Sequence, residues 1–152
     1  LDVSVQAQVV SLLEEVQERT GVAYLFIAHD LAVVRHASAD IAVMYRSRIV
    51  ETGPADRVCE QPAHPYTQAL LAAIPDPDPV RQALQRQKRR QLRLAAQQST
   101  TNAGTTTPAT GCPFAARCPL STRECVESFP EWRPVAAGGR VACHHYDPRS
   151  GG

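Results

Sequence analysis

Four cysteines stand in the order Cys112-x5-Cys118-x6-Cys125-x17-Cys143, with a proline after each of the first two, at Pro113 and Pro119. Thiolates are soft ligands, so four in one short segment can close around an ion or cluster and cross-link chain that has few apolar residues to bury. The spacing matches neither the CxxC pairs of zinc fingers nor the compact ferredoxin run. The residues alone leave three states open: a cluster, a zinc ion with His144 or His145 replacing a thiolate, or two disulfides. The second chemical feature is His29, at the end of the apolar run Val22 to Ala28 and followed by Asp30. An imidazole at the carboxyl end of a buried strand can hydrogen-bond a phosphate oxygen and orient an attacking water. It can equally do no more than cap the helix that comes next. Cys59 lies apart from the other four and reads as a small core residue. His64-Pro65-Tyr66 groups an imidazole with an aromatic ring, yet it reads as a proline-started helix with Leu70, Leu71 and Ile74 turned inward.

The elements that must position these residues are legible from periodicity. Val5, Val9, Leu12, Leu13 and Val16 recur at three- and four-residue steps, which predicts a helix over 3–20 stopped by Gly21. Val22 to Ala28 is a continuous β-branched and aromatic run, the pattern of a strand buried on both faces, and helix followed by strand is the unit of a mostly parallel α/β sheet. Asp30 is placed to cap a short helix through Leu31, Val33 and Val34. Two strands, 40–45 and 48–51, are predicted around a turn at Arg46-Ser47, then short helices opened by Pro54 and Pro65. Pro75 to Pro79 ends this ordered part. Residues 80–110 read as a basic and then Ser/Thr-rich linker. From Gly111 to Tyr146 the chain has too few apolar residues to bury a core unaided, and it needs a cross-link. Phe129 and Trp132 are expected to pack around it.

The chain has 152 residues, 43% hydrophobic and 20% charged, which excludes wholesale disorder and a membrane bundle. Its formal charge of +1 conceals two halves: residues 1–78 carry 11 acids against 5 bases, and 79–152 carry 4 acids against 11 bases. Arg81, Arg86, Lys88, Arg89, Arg90 and Arg93 form a run without a carboxylate, but with no interleaved aromatic residue or groove-reading motif it reads as a solvated face, with no specific nucleic acid expected. No stretch reaches the roughly 20 apolar residues of a spanning helix. The first residues carry no initiator Met and no signal-peptide pattern, which points to a fragment from a cytoplasmic compartment, where disulfides are rare.

Several blocks in order resemble one family. Leu1-Asp2, the helix Val3 to Thr20, the run Val22 to Ala28 and His29-Asp30-Leu31 look like the D-loop, the next helix and strand, and the switch-histidine loop of an ATP-binding-cassette ATPase. Val43-Met44-Tyr45, Ile49-Val50-Glu51 and Gly53-Pro54 are similar to the segment after the switch loop in that family, although Arg46-Ser47-Arg48 stands where a Gly-containing turn is usual. The stretch Ala63 to Pro75, AHPYTQALLAAIP, resembles the oligopeptide and dipeptide importer branch. So does the tail, through Gly111 to Phe114, Arg117-Cys118-Pro119, Cys125, Pro130 and Val141 to His144.

The resemblance implies an α/β fold: the C-terminal remnant of a P-loop nucleotide-binding domain followed by a small loop-rich four-cysteine extension. It divides the chain into ATPase core (1–53), importer-type helices (54–79), linker (80–110) and four-cysteine module (111–147). It gives His29 the role of sensing the γ-phosphate of ATP, and Asp2 that of coupling two nucleotide sites across an ATPase dimer. The phosphate-cradling loop, the signature sequence and the Asp-Glu pair that serves Mg²⁺ have no counterpart here, so the fragment alone is expected to be inactive. The resemblance makes Cys112, Cys118, Cys125 and Cys143 ligands of a [4Fe–4S] cluster, with zinc as the alternative. Its implied partners are a second ATPase subunit, membrane permease subunits at the cytoplasmic face and, indirectly, an extracytoplasmic peptide-binding protein. The competing reading is a non-enzymatic Fe–S or zinc module that docks a partner.

Overall fold

In the computed structural model, residues 3–28, 31–74 and 110–148 are described. Leu1, Asp2, His29, Asp30, the 75–79 proline stretch and the basic linker lie outside the described residues. Helix α1 spans Val3–Thr20, as the periodicity predicts. Its end is built locally: Thr20 Oγ1 donates to the Val16 carbonyl at 2.6 Å, and the Gly21 N–H reaches the Gln17 carbonyl at 2.8 Å. Gly21 adopts φ +68°, the left-handed conformation that closes helices and that glycine enters without penalty. On the apolar stripe of α1, Val9, Leu12 and Val16 are exposed, Leu12 at 61%, and Leu13 is half-buried.

The expected strand at Val22–Ala28 does not form; the segment has no regular structure. A strand exists only where its N–H and C=O groups find a ladder, and the described residues offer none to this segment, whose Leu25 and Ile27 are each 89% exposed. Helix α2 (Leu31–Ala37) is next. Arg35 at its end donates Nε to Asp56 at 2.9 Å and Nη2 to Glu60, tying α2 to helix α3 (Ala55–Glu60).

Strands β1 (Asp40–Tyr45) and β2 (Arg48–Pro54) form the expected hairpin, with a register irregularity at Val43/Met44. Arg46 and Ser47 both take positive φ, +46° and +61°, so the two-residue turn is of the primed kind that matches strand twist. Pro54 and Pro65 open α3 and α4 (Pro65–Leu71). Helix α4 stops short of Ile74, and Leu70, Leu71 and Ile74 are only half-buried.

The sheet differs from the expectation in two ways. Among the described residues every pairing is antiparallel, and the cysteine segment supplies half of the strands: β3 (Trp132–Pro134) and β4 (Arg140–Ala142) extend the hairpin in the order β1-β2-β4-β3. Glu51 pairs with Val141 and Thr52 with Arg140. The approach of β2 to β4 depends on Gly139, φ +90°, because a Cβ there would collide with the Thr52 carbonyl and come within 2.6 Å of Gly53 Cα. One buried cluster, Val34, Ile41, Val43, Val50, Ala55 and Val58, sits between the hairpin and α2–α3. A second, around Cys112, Phe114, Ala115, Cys118 and Cys125, shares Tyr45 and Tyr66 with the first.

Candidate functional site

The cysteine segment repeats one local device three times. Cys112, Cys118 and Cys143 each open a tight turn in which the cysteine carbonyl accepts the N–H of the third residue on: Ala115 at 3.0 Å, Ser121 at 3.2 Å and Tyr146 at 3.3 Å. Such turns aim backbone N–H groups at the side chain that starts them. The N–H groups of Phe114 and Ala115 face the Cys112 sulfur, that of Leu120 faces Cys118, and those of His145 and Tyr146 face Cys143. Cys125 differs, because it rides on helix α5 (Arg123–Glu127). Its sulfur meets Thr122 Oγ1 at 3.4 Å and His145 Nε2 at 3.5 Å. The Cys112 N–H bonds the Cys125 carbonyl at 2.8 Å, closing the loop. Gly111 is required there, since a Cβ would run into the Cys125 and Val126 carbonyls.

All four sulfurs are buried and each cysteine is a free thiol. Burial pushes the Cys118 thiol up to about 12, against the Leu120 N–H, while the charges of Cys143, Cys125 and Cys112 push the same way. Burial likewise raises Cys112 and Cys143, with the facing N–H groups opposing it. Burial therefore outweighs the facing N–H groups and keeps Cys112, Cys118 and Cys143 as neutral thiols in the chain as it stands. Among the described residues, no group of three or more His, Cys, Asp or Glu converges on the point a single metal ion would occupy. The structure gathers the four expected cysteines without assembling them around one ion. His144, a candidate zinc ligand, is engaged elsewhere: Nδ1 lies 3.2 Å from Glu124 Oε1 and Nε2 lies 3.0 Å from the Ser128 carbonyl.

The packing expectation fails for Trp132, which is 41% exposed on edge strand β3. Phe129 lies under the Arg48 guanidinium, 4.9 Å from ring centroid to Cζ. The aromatic ring at the site is Phe114, 5.3 Å from Tyr45 and 5.4 Å from Tyr66 between centroids.

Sequence reasoning missed the polar network beneath. Glu51 is fully buried and its carboxylate accepts three donors: Arg57 Nη1, the Ala63 N–H at 2.9 Å and the His64 N–H at 2.9 Å. Arg57 also donates Nη2 to the Thr52 carbonyl at 2.6 Å. His64, 1% exposed, caps α4 by accepting the Tyr66 N–H on Nδ1 at 3.0 Å, and its Nε2 lies 4.0 Å from Cys112 Sγ. Burial pushes the His64 ring down to about 4, with the Glu51 charge opposing, so the ring is neutral at pH 7. The signal was present in Val50-Glu51, an acid in an apolar strand, and in a histidine directly before a helix-opening proline. A shallow cleft of about 290 Å³ lies elsewhere, between Leu31, Arg35, His36, Cys59, Leu71 and Ile74. Cys59, half-buried against the first core, lines it as a packing residue.

No helix among the described residues is long and apolar enough to cross a membrane. The sequence profile of the oligopeptide/dipeptide transporter C-terminal region matches residues 50–125, half of the chain. The oligopeptide transport ATP-binding protein OppF of Salmonella typhimurium is 45% identical over 151 residues, 97% of this chain and 42% of that protein. OppF of Escherichia coli is 44% identical over the same shares. The di/tripeptide transport ATP-binding protein DppF of Pseudomonas aeruginosa is 44% identical over 95% of this chain and 42% of its own length. The chain thus spans about two fifths of the length of these curated relatives.

Proposed function

The chain belongs to the oligopeptide/dipeptide transporter C-terminal region family, and on that premise we propose that it forms the C-terminal part of an ATP-binding subunit that powers peptide import. The observation that carries this reading is the identity of 44 to 45% with peptide-transport ATP-binding proteins, maintained over 95 to 97% of the chain. Residues 1–53 complete the ATPase core, 54–79 are importer-type helices, 80–110 a linker and 111–147 the four-cysteine module. ATP and Mg²⁺ are held mainly by parts of the subunit that this chain does not carry. His29 hydrogen-bonds the γ-phosphate from the switch loop and orients the attacking water, and Asp2 relays the state of one nucleotide site to the other across the ATPase dimer. The dimer works on membrane permease subunits at the cytoplasmic face, with a peptide-binding protein delivering cargo from outside.

The four cysteines suit a [4Fe–4S] cluster as resident group. What supports this is four buried cysteines in one short segment, with backbone N–H groups that oppose the effect of burial on Cys112, Cys118 and Cys143; His144 is taken up by Glu124 and Ser128, while His145 lies 3.5 Å from Cys125 Sγ. When bound, such a cluster cross-links the segment and adds a one-electron redox couple. A cluster held there would serve a structural or redox-sensing role.

His29→Ala in the intact subunit, reconstituted with its permease, tests the ATPase reading. ATP turnover is expected to fall by about 10²-fold or more, the scale of losing a positioned group at a reacting phosphate, with ATP binding retained. Unchanged turnover would contradict the role.

A further inference from the structure

We propose that His64 is part of the four-cysteine site, as the donor of an N–H···S hydrogen bond to the Cys112 thiolate. This rests on the reading of that site as a cluster site. The tautomer is set by the hydrogen bonds: Nδ1 accepts the Tyr66 N–H at 3.0 Å, so a neutral ring carries its proton on Nε2. Nε2 faces Cys112 Sγ at 4.0 Å, within reach of a large sulfur acceptor.

The ring has little freedom to do anything else. His64 is 1% exposed, its backbone N–H is held by Glu51 Oε2 at 2.9 Å, Pro65 comes directly after it, and the Phe114 ring lies 6.0 Å away between centroids. Glu51 is in turn held by Arg57. Cys112 receives the Phe114 and Ala115 N–H groups from its own turn, and His64 adds a donor from a part of the chain 48 residues away. It is an outer partner of a ligand and not itself a ligand. Donors to a cluster sulfur withdraw negative charge and favour the reduced, more negative form, so His64 raises the reduction potential. The same contact joins the cysteine site to the hairpin through Glu51 on β2.

The test uses the full chain, purified without oxygen and loaded with ferrous iron and sulfide, with both assayed. The midpoint of one-electron reduction by dithionite is then read from the absorption spectrum. His64→Asn keeps a side-chain oxygen that can cap Tyr66 but cannot reach the sulfur. His64→Gln sends an NH₂ toward the sulfur but gives up the cap. The expected result is a lower midpoint in His64→Asn at wild-type iron and sulfide content, and a midpoint close to wild type in His64→Gln with reduced resistance to urea. Equal midpoints in wild type and His64→Asn, or equal shifts in both variants, would overturn the inference while leaving the cluster reading intact. A wild-type chain that takes up no iron and sulfide overturns both. In the unloaded chain, long-range ¹H–¹⁵N NMR reads the tautomer directly: a proton on Nε2 is expected, and a proton on Nδ1 overturns the assignment.

Discussion

Glu51 holds three segments that are separate in sequence: its own strand, helix α3 through Arg57, and the 61–64 loop through the Ala63 and His64 N–H groups. The Glu51–Arg57 pair is almost completely removed from water, with side chains 0% and 4% exposed. Taking one partner away leaves a buried charge uncompensated, which is a far larger effect than losing a surface ion pair. Glu51→Gln is therefore expected to destabilise the chain by about 3 to 5 kcal/mol, read as a lower urea midpoint. Replacing both Glu51 and Arg57 with Met should recover much of that loss, since paired apolar groups need no counter-charge. A loss below about 1 kcal/mol in Glu51→Gln, the size of a surface pair, would mean that water or another group compensates Arg57. At this scale the cysteines were legible because their type and spacing announce chemistry. Glu51 and His64 left only a faint trace, an acid in an apolar strand and a histidine before a helix-opening proline, and Arg57 none, because their burial comes from tertiary contacts.

Elements with local causes were read correctly. Helix α1 ends where glycine permits a left-handed residue, and α3 and α4 start where proline fits a helix N-terminus. Elements that depend on distant partners were not. The 22–28 run has strand-like residues without a ladder, and β2 pairs with β4 across about 90 residues of sequence, a contact that no local pattern encodes. The hairpin turn falls between these cases: its position was legible, its conformation was not. Arg46 and Ser47 hold positive φ in positions where Asn and Gly are favoured. Ser47→Gly removes the Cβ clash of that conformation, although it loosens the unfolded chain, and a net gain of about 0.5 to 1 kcal/mol is expected. An unchanged or lower melting temperature would show that the turn is already relaxed by its surroundings.

The whole chain is an acidic α/β half and a basic half whose cysteine segment completes the first half's sheet. A tail merely tethered by a flexible linker would share no strands or core residues with the α/β half. Here Tyr45 and Tyr66 serve both cores, and β4 lies against β2. Loss of the cysteine site should thus be felt in the β1–β2 hairpin, and on the proposed function this would link the state of the tail to the ATPase. The proposed function places this chain within a peptide-importing ATPase. The most direct measurement is uptake of a labelled oligopeptide by proteoliposomes that contain the intact ATP-binding subunit, its permease and its binding protein, with ATP supplied on the subunit's side. Uptake that requires ATP and collapses with His29→Ala is the predicted result; a complex that hydrolyses ATP yet moves no peptide, or moves it without ATP, would contradict the account.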